Sequence, residues 1–112
     1  FDTPGDHLVL TPINAGSIGH EYRQKVERDF FSALDGFSPE LLLISAGFDA
    51  HTEDPLGGLN LIEDDYRWLT SMIIDIADRH SQSRIVSMLE GGYHLGALGR
   101  SVSAHIEMML HD

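Results

Sequence analysis

The sequence contains no cysteine, so it can form neither a disulfide framework nor a zinc–thiolate site, and any metal must be held by His, Asp or Glu. Long hydrophobic runs are also missing. The longest uninterrupted apolar stretch is Leu41–Ile44, far short of a membrane span or a signal-peptide core. Positive charge is scarce: 7 Lys and Arg stand against 18 Asp and Glu, a formal net charge of −11. That balance disfavours direct nucleic-acid binding and favours cationic ligands. The expected location is the cytoplasm, with no membrane partner. There are no repeats and no low-complexity tracts. The chain begins with Phe1 rather than Met, so a natural translation start is not expected there.

What is present suffices for one small globular domain with a modest core: 112 residues, 42% of them hydrophobic. Residues 1–20 are rich in Gly, Pro, Asp and Asn, with a possible edge strand at Leu8–Leu10. Tyr22, Val26, Phe30, Ala33, Leu34 and Phe37 recur at three- and four-residue spacing and predict a helix from about Glu21, ended by Gly36 and Pro39. Leu41–Ser45 is apolar without alternation, as in a strand buried on both faces. A long loop, Ala46–Ile62, separates it from a second helix over Glu63–His80, with Tyr66, Leu69, Met72, Ile73, Ile76 and Ala77 inward. Acidic residues open that helix and Arg79 and His80 close it, as the helix dipole favours. Arg84–Leu89 is a second strand. After a glycine-rich turn a third helix runs over Gly96–Leu110, with Leu98, Val102, Ile106 and Met109 on one stripe.

A strand–helix–strand unit of this length forms a right-handed parallel crossover. A parallel sheet needs helices on both faces, and two strands make a poor one. The expected fold is therefore the last part of a larger α/β domain of three layers, α/β/α, with residues 1–112 a C-terminal fragment of it.

Two side chains sit just past predicted strand ends, where open α/β sheets place ligands. Asp49 follows Gly47-Phe48, and reads either as a turn-capping carboxylate or as a metal ligand. Tyr93 closes Glu90-Gly91-Gly92-Tyr93, and reads either as packing or as a donor beside a ligand that Gly91 and Gly92 allow close to the backbone. His51 lies two residues after Asp49, a spacing that can present two ligands on one side of an extended segment. Asp54, before Pro55, reads as a clamp on the loop backbone. Neither glycine cluster has the spacing of a phosphate-binding loop.

Ser45-Ala46-Gly47-Phe48-Asp49-Ala50-His51, Asp54-Pro55-Leu56-Gly57-Gly58, Asp65-Tyr66 and Glu90-Gly91-Gly92-Tyr93 occur in this order, separated by helix-length segments. In this the chain resembles the histone deacetylase family of zinc amidohydrolases, in particular class II members and bacterial acetylpolyamine amidohydrolase and acetoin-utilisation relatives. The likeness covers residues 10–110 or so. It implies the arginase/deacetylase-like three-layer fold, a Zn²⁺ cofactor with Asp49 among its ligands, and Tyr93 stabilising the oxyanion that forms on an acyl amide. It also implies that Leu56 lines the acyl-chain tunnel, joined by Leu95, and that Gly91 and Gly92 border the substrate. His20 would lie near the entrance. The substrate would be an acetylated lysine peptide or an acetylpolyamine.

The family's single-ligand motif matches Asp49, which leaves His51 supporting the site or standing at its rim. His7, His80, His94, His105 and His111 show no ligand spacing and read as surface or terminal groups. Two departures stand out. Ile62 occupies the position where relatives carry a Thr or Ser helix cap, so a cap must come from Asn60 or be absent, at a cost of about 1 kcal/mol. His94 stands where many relatives have Asn.

The family's tandem His pair, and its Asp-x-His ligand motif followed by a further His and Gly, do not occur in this sequence. One carboxylate cannot hold a catalytic zinc, which takes three protein ligands and an open position. The expectation is thus an amidohydrolase that needs the upstream part of its domain as partner, the 112 residues alone being inactive. A non-catalytic remnant and a small α/β binding module are the alternatives.

Overall fold

The computed structural model describes residues 8–110. Their order is α1 (Gly19–Val26), a π-helical turn (Glu27–Phe31), α2 (Ser32–Phe37), β1 (Leu42–Ala46), α3 (Glu63–His80), β2 (Ile85–Leu89) and α4 (Leu95–Leu110). The strands pair in parallel, Leu42 with Ile85 through Ala46 with Leu89, and α3 makes the crossover. No helix among the described residues is long and apolar enough to cross a membrane.

The expected edge strand at Leu8–Leu10 does not form. The nearby backbone groups bond to the long loop instead: Gly16 N–H donates to Gly58 O, and Asn60 N–H donates to Ser17 O. His7 and His111 lie outside the described residues.

The first helical segment differs from its sequence reading in phase. A π turn holds more residues per turn than an α turn, so side chains beyond it are rotated about the axis. Phe31 is therefore buried and meets Trp68 edge-on at 6.0 Å, whereas Ala33 and Phe37, expected inward, are exposed. The helix also runs through Gly36 and stops at Ser38, which takes the left-handed conformation with φ 57°.

One core cluster joins Val26, Phe31, Leu42, Ile76 and Ala77; a second joins Ala46, Phe48, Leu61 and Tyr66 under Leu98 and Val102. Full burial of each large side chain contributes about 1.5–3 kcal/mol. Arg23 ties α1 to α3, bonding Asp65 at 2.9 Å and lying 5.4 Å over the Trp68 ring. At the start of α3, Asp65 also accepts the Ile62 N–H at 3.0 Å. Ile62 supplies no side-chain cap, and the Asn60 amide turns away to Gly16 O. Only the return half of a capping box is present.

The helices pack on the face that carries Leu42, Ile44 and Ala46. On the opposite face Leu43 is 64% exposed, and Val86 and Met88 are each 48% exposed. One helical layer and the parallel sheet are thus built from these residues, and among the described residues the second face is bare.

Candidate functional site

Both strands end at the same side of the sheet, and the two site loops leave from there. Phe48 N–H donates to Gly91 O at 2.8 Å, and Glu90 N–H to Ala46 O at 3.0 Å, so the loops stay in register for a step beyond the ladder. Phe48 turns into the core against Tyr66 (ring centroids 5.1 Å) and His105 (5.7 Å). Asp49 therefore points the other way, as alternation along an extended segment requires.

The Asp49 carboxylate is half-buried between two glycines. A Cβ on Gly91 would come 3.6 Å from it and one on Gly47 3.5 Å, so neither neighbour crowds it. Among the described residues it accepts no side-chain or backbone hydrogen bond. The two well-buried carboxylates of this region are engaged, by contrast: Asp65 by one bond each from Arg23 and Ile62, and Asp54 by four backbone N–H groups. Beneath lies Tyr66, whose buried hydroxyl also finds no hydrogen-bond partner among the described residues. Burial pushes its pKa up, reinforced by the charges of Tyr22, Asp49 and Asp54. Tyr22 is pushed up to about 12 by burial and then by Asp65.

Two glycines make the geometry possible. A Cβ on Gly57 would lie 1.5 Å from the carbonyl oxygen of Asp49, so the loop can fold back over the ligand candidate only at a glycine. Gly92 has φ 137°, a left-handed conformation costly for other residues, and a Cβ there would come 2.6 Å from Leu98. After it Tyr93 is 56% exposed, and Leu56 and Leu95 are 70% and 81% exposed. His20 is exposed as the second residue of α1.

Asp54 clamps the loop, as the sequence suggested, and reaches further than its own turn. Burial alone would raise its pKa, but N–H groups of Tyr93, Leu56, His94 and Gly57 outweigh this and hold it below the usual carboxylate range.

His51 is neither at the rim nor beside Asp49's recess by its hydrogen bonds. It is 1% exposed, its Nε2 lies 2.6 Å from Glu63 Oε1, and its Nδ1 accepts the Glu53 N–H at 3.0 Å. The backbone donor fixes the proton on Nε2, which donates to Glu63. Burial works to raise the Glu63 pKa, but bonds from His51 and Arg100 prevail and lower it. His51, Glu53 and Glu63 bring potential ligand atoms within 4.8 Å of one another. Arg100 bonds both glutamates, however, and the imidazole has both nitrogens engaged. The group reads as a polar latch between the loop, α3 and α4.

Two histidines, His105 and His80, differ from their surface reading, and a third, His94, keeps it but has a structural role. His105 is buried at 7% exposure: Thr70 Oγ1 donates to Tyr66 O and accepts from His105 Nδ1 at 2.8 Å, and Ser87 Oγ lies 2.9 Å from Nε2. Burial lowers its pKa. His94 is exposed but caps α4, its Nδ1 accepting the Ala97 N–H at 3.1 Å. His80 is half-buried, with Nε2 2.8 Å from Asp35. The Asp-x-His spacing recurs at Asp78-Arg79-His80, in the last turn of α3. There Asp78 accepts from Ser83, and the helix turns the two side chains apart.

Comparison with known proteins fits this arrangement. The sequence matches the histone deacetylase domain over residues 4–109, and the chain belongs to that family. It is 46% identical over 106 residues to the type-2 histone deacetylase 1 of Dictyostelium discoideum, covering 95% of this chain and 7% of that protein. With the histone deacetylase-like amidohydrolase of Pseudomonas aeruginosa it shares 42% identity over 82 residues, 73% of this chain and 22% of the relative. Its structure superimposes on the crystal structure of the HDA15 HD domain with a TM-score of 0.78 at 31% identity, covering 87% of this chain and 26% of that one. It likewise has the fold of part of an acetylpolyamine aminohydrolase from Burkholderia pseudomallei, with a TM-score of 0.75 at 24% identity, over 88% and 27% of the two chains. The chain thus spans about a quarter or less of each of these proteins.

Proposed function

We propose that these residues serve a zinc-dependent amidohydrolase that removes acetyl or related acyl groups from lysine or polyamine amines. The observation that carries this reading is the Asp49 carboxylate: half-buried at a strand end, glycine-walled, and free of hydrogen bonds from the described residues. It suits one oxygen-donor position of a zinc site. Zinc, when bound, would supply Lewis acidity toward water and the acyl carbonyl. Two further ligands and a histidine base would come from residues outside this chain, and the chain alone would be inactive.

Within the chain, the Tyr93 phenol would donate to the carbonyl oxygen as negative charge grows on it in the transition state. Gly91 and Gly92 would let the acyl group lie against the backbone, and Leu56 and Leu95 would wall its channel. The net charge of −11 suits amine-bearing substrates over anionic ones.

The test is metal analysis and acetate release by the complete protein on an acetyl-lysine peptide and an acetylpolyamine. Bound zinc with release from at least one is expected, and no release from the 112-residue chain with added zinc. A zinc-loaded complete protein that releases acetate from neither substrate would sink the reading.

A further inference from the structure

Asp54 is 8% exposed and takes no part in the chemistry proposed above. Among the described residues no Lys, Arg or His side chain bonds to it. Its Oδ1 accepts the N–H groups of Leu56 at 2.9 Å and Gly57 at 3.2 Å. Its Oδ2 accepts those of Tyr93 at 2.7 Å and His94 at 3.3 Å. A carboxylate has about four acceptor sites, so the group is saturated, one oxygen for each loop.

We infer that Asp54 is a positioning residue that locks the Leu56 turn to the Tyr93 turn, so that the acyl-channel wall and the oxyanion donor move as one body. This rests on the reading of Tyr93 given above. Tyr93, Leu56 and Leu95 are mostly exposed residues, so packing among the described residues does not locate them. Their position must be set at the backbone, and Asp54 is what holds the backbone there. The left-handed Gly92 turns the chain so that two consecutive N–H groups, of Tyr93 and His94, converge on one oxygen.

No neutral side chain repeats this. Asparagine keeps one oxygen and presents an NH₂ group to the other pair of donors, so one loop loses its acceptor. Bonds to an ionised acceptor are also roughly twice as strong as neutral ones.

The test uses the complete zinc-loaded protein and a double-variant cycle. Asp54→Asn is expected to keep its zinc and lower turnover by about 10–100-fold, the scale of a misplaced reacting group, with KM within about threefold. Tyr93→Phe is expected to lower turnover by about 10²–10³-fold. If Asp54 acts through Tyr93, the double variant is no slower than Tyr93→Phe alone. Wild-type turnover in Asp54→Asn, or losses that multiply in the double variant, would overturn the inference. Amide exchange gives an independent reading: Leu56, Gly57, Tyr93 and His94 are expected to be protected in the wild type and unprotected, in at least one pair, in Asp54→Asn. Should the variant fail to fold, free exchange at these four wild-type amides overturns the inference and protection supports it. Full activity in Tyr93→Phe with the four amides protected would remove the tyrosine reading and leave the lock standing.

Discussion

Ser87 Oγ of β2 lies 2.9 Å from Nε2 of His105 on α4, and Thr70 of α3 holds the opposite ring nitrogen. One neutral imidazole thus joins a strand to two helices. Burial lowers its pKa from the ordinary value of 6.5, so the unfolded chain binds the proton more readily than the folded one. The contribution is complete above the unfolded pKa and is lost as pH falls through the folded one. Stability is expected to decline on acidification below about pH 6.5. In His105→Gln that step should flatten, leaving the later decline from Asp54 and Glu63, whose pKa values are also lowered and whose protonation removes stability at more acidic pH. Denaturant titrations at a series of pH values would show it; identical slopes in both proteins would contradict the assignment.

Metal content separates the roles of three side chains in the complete protein. Asp49→Ala is expected to empty the site, whereas Tyr93→Phe keeps zinc and loses turnover. His51→Ala is expected to keep most of its zinc yet cost about 2–3 kcal/mol of stability, because it removes a buried ring and leaves Glu63 short of a donor. An empty site in His51→Ala beside a full one in Asp49→Ala would transfer the ligand role to the histidine.

Gly57→Ala places a methyl group onto the Asp49 carbonyl. The loop must shift, so lower zinc affinity and a loss of about 2 kcal/mol or more are expected, measured by competition with a chelator and by thermal melting. Gly58→Ala, whose Cβ would meet nothing within 4 Å, is the control and should change little.

Among the described residues the sheet face bearing Leu43, Val86 and Met88 lacks a covering layer, and their two-stranded parallel sheet has open edges. The 112-residue chain is expected to self-associate at micromolar concentration. Replacing all three residues by Thr should reduce light scattering while the helical circular dichroism persists. A monomer with a sharp, cooperative melt would refute the expectation.

Much of this was legible in the sequence, for identifiable reasons. The bounds of α3 were readable because charge marks both ends, Glu63 to Asp65 and Arg79 to His80. The strands lay within a residue of their predicted positions because apolar runs without alternation have few other homes. The phase of the first helix was not readable, since nothing in Glu27–Phe31 announces a π turn. The buried face of α4 was readable in part: of the bulky stripe Leu98, Val102, Ile106 and Met109, Leu98 and Val102 pack on the second core cluster, but Ile106 is exposed, and the fully buried positions are Ala97, Ser101, Ala104 and His105, three of them small enough to permit close approach to α3. Asp49 and Tyr93 could be picked out by their places after strands. The double grip of Asp54 could not, because its second pair of donors is nearly forty positions away.

That separation sets an order of events. The turn amides of Leu56 and Gly57 follow Asp54 directly and can bond it as soon as they are made. The β1–β2 ladder pairs Leu42 with Ile85 and must wait for all of α3. Tyr93 and His94 come later still, so half of the carboxylate stays in water while the crossover helix forms. Contacts of short separation close first and distant ones follow. The candidate ligand loop therefore takes shape before the donor that is to face it, and the two halves of the site meet only when the sheet closes. Pulse-labelled amide exchange during refolding of the complete protein should find Leu56 and Gly57 protected before Tyr93 and His94; the reverse sequence would show that the sheet, not the turn, nucleates the site.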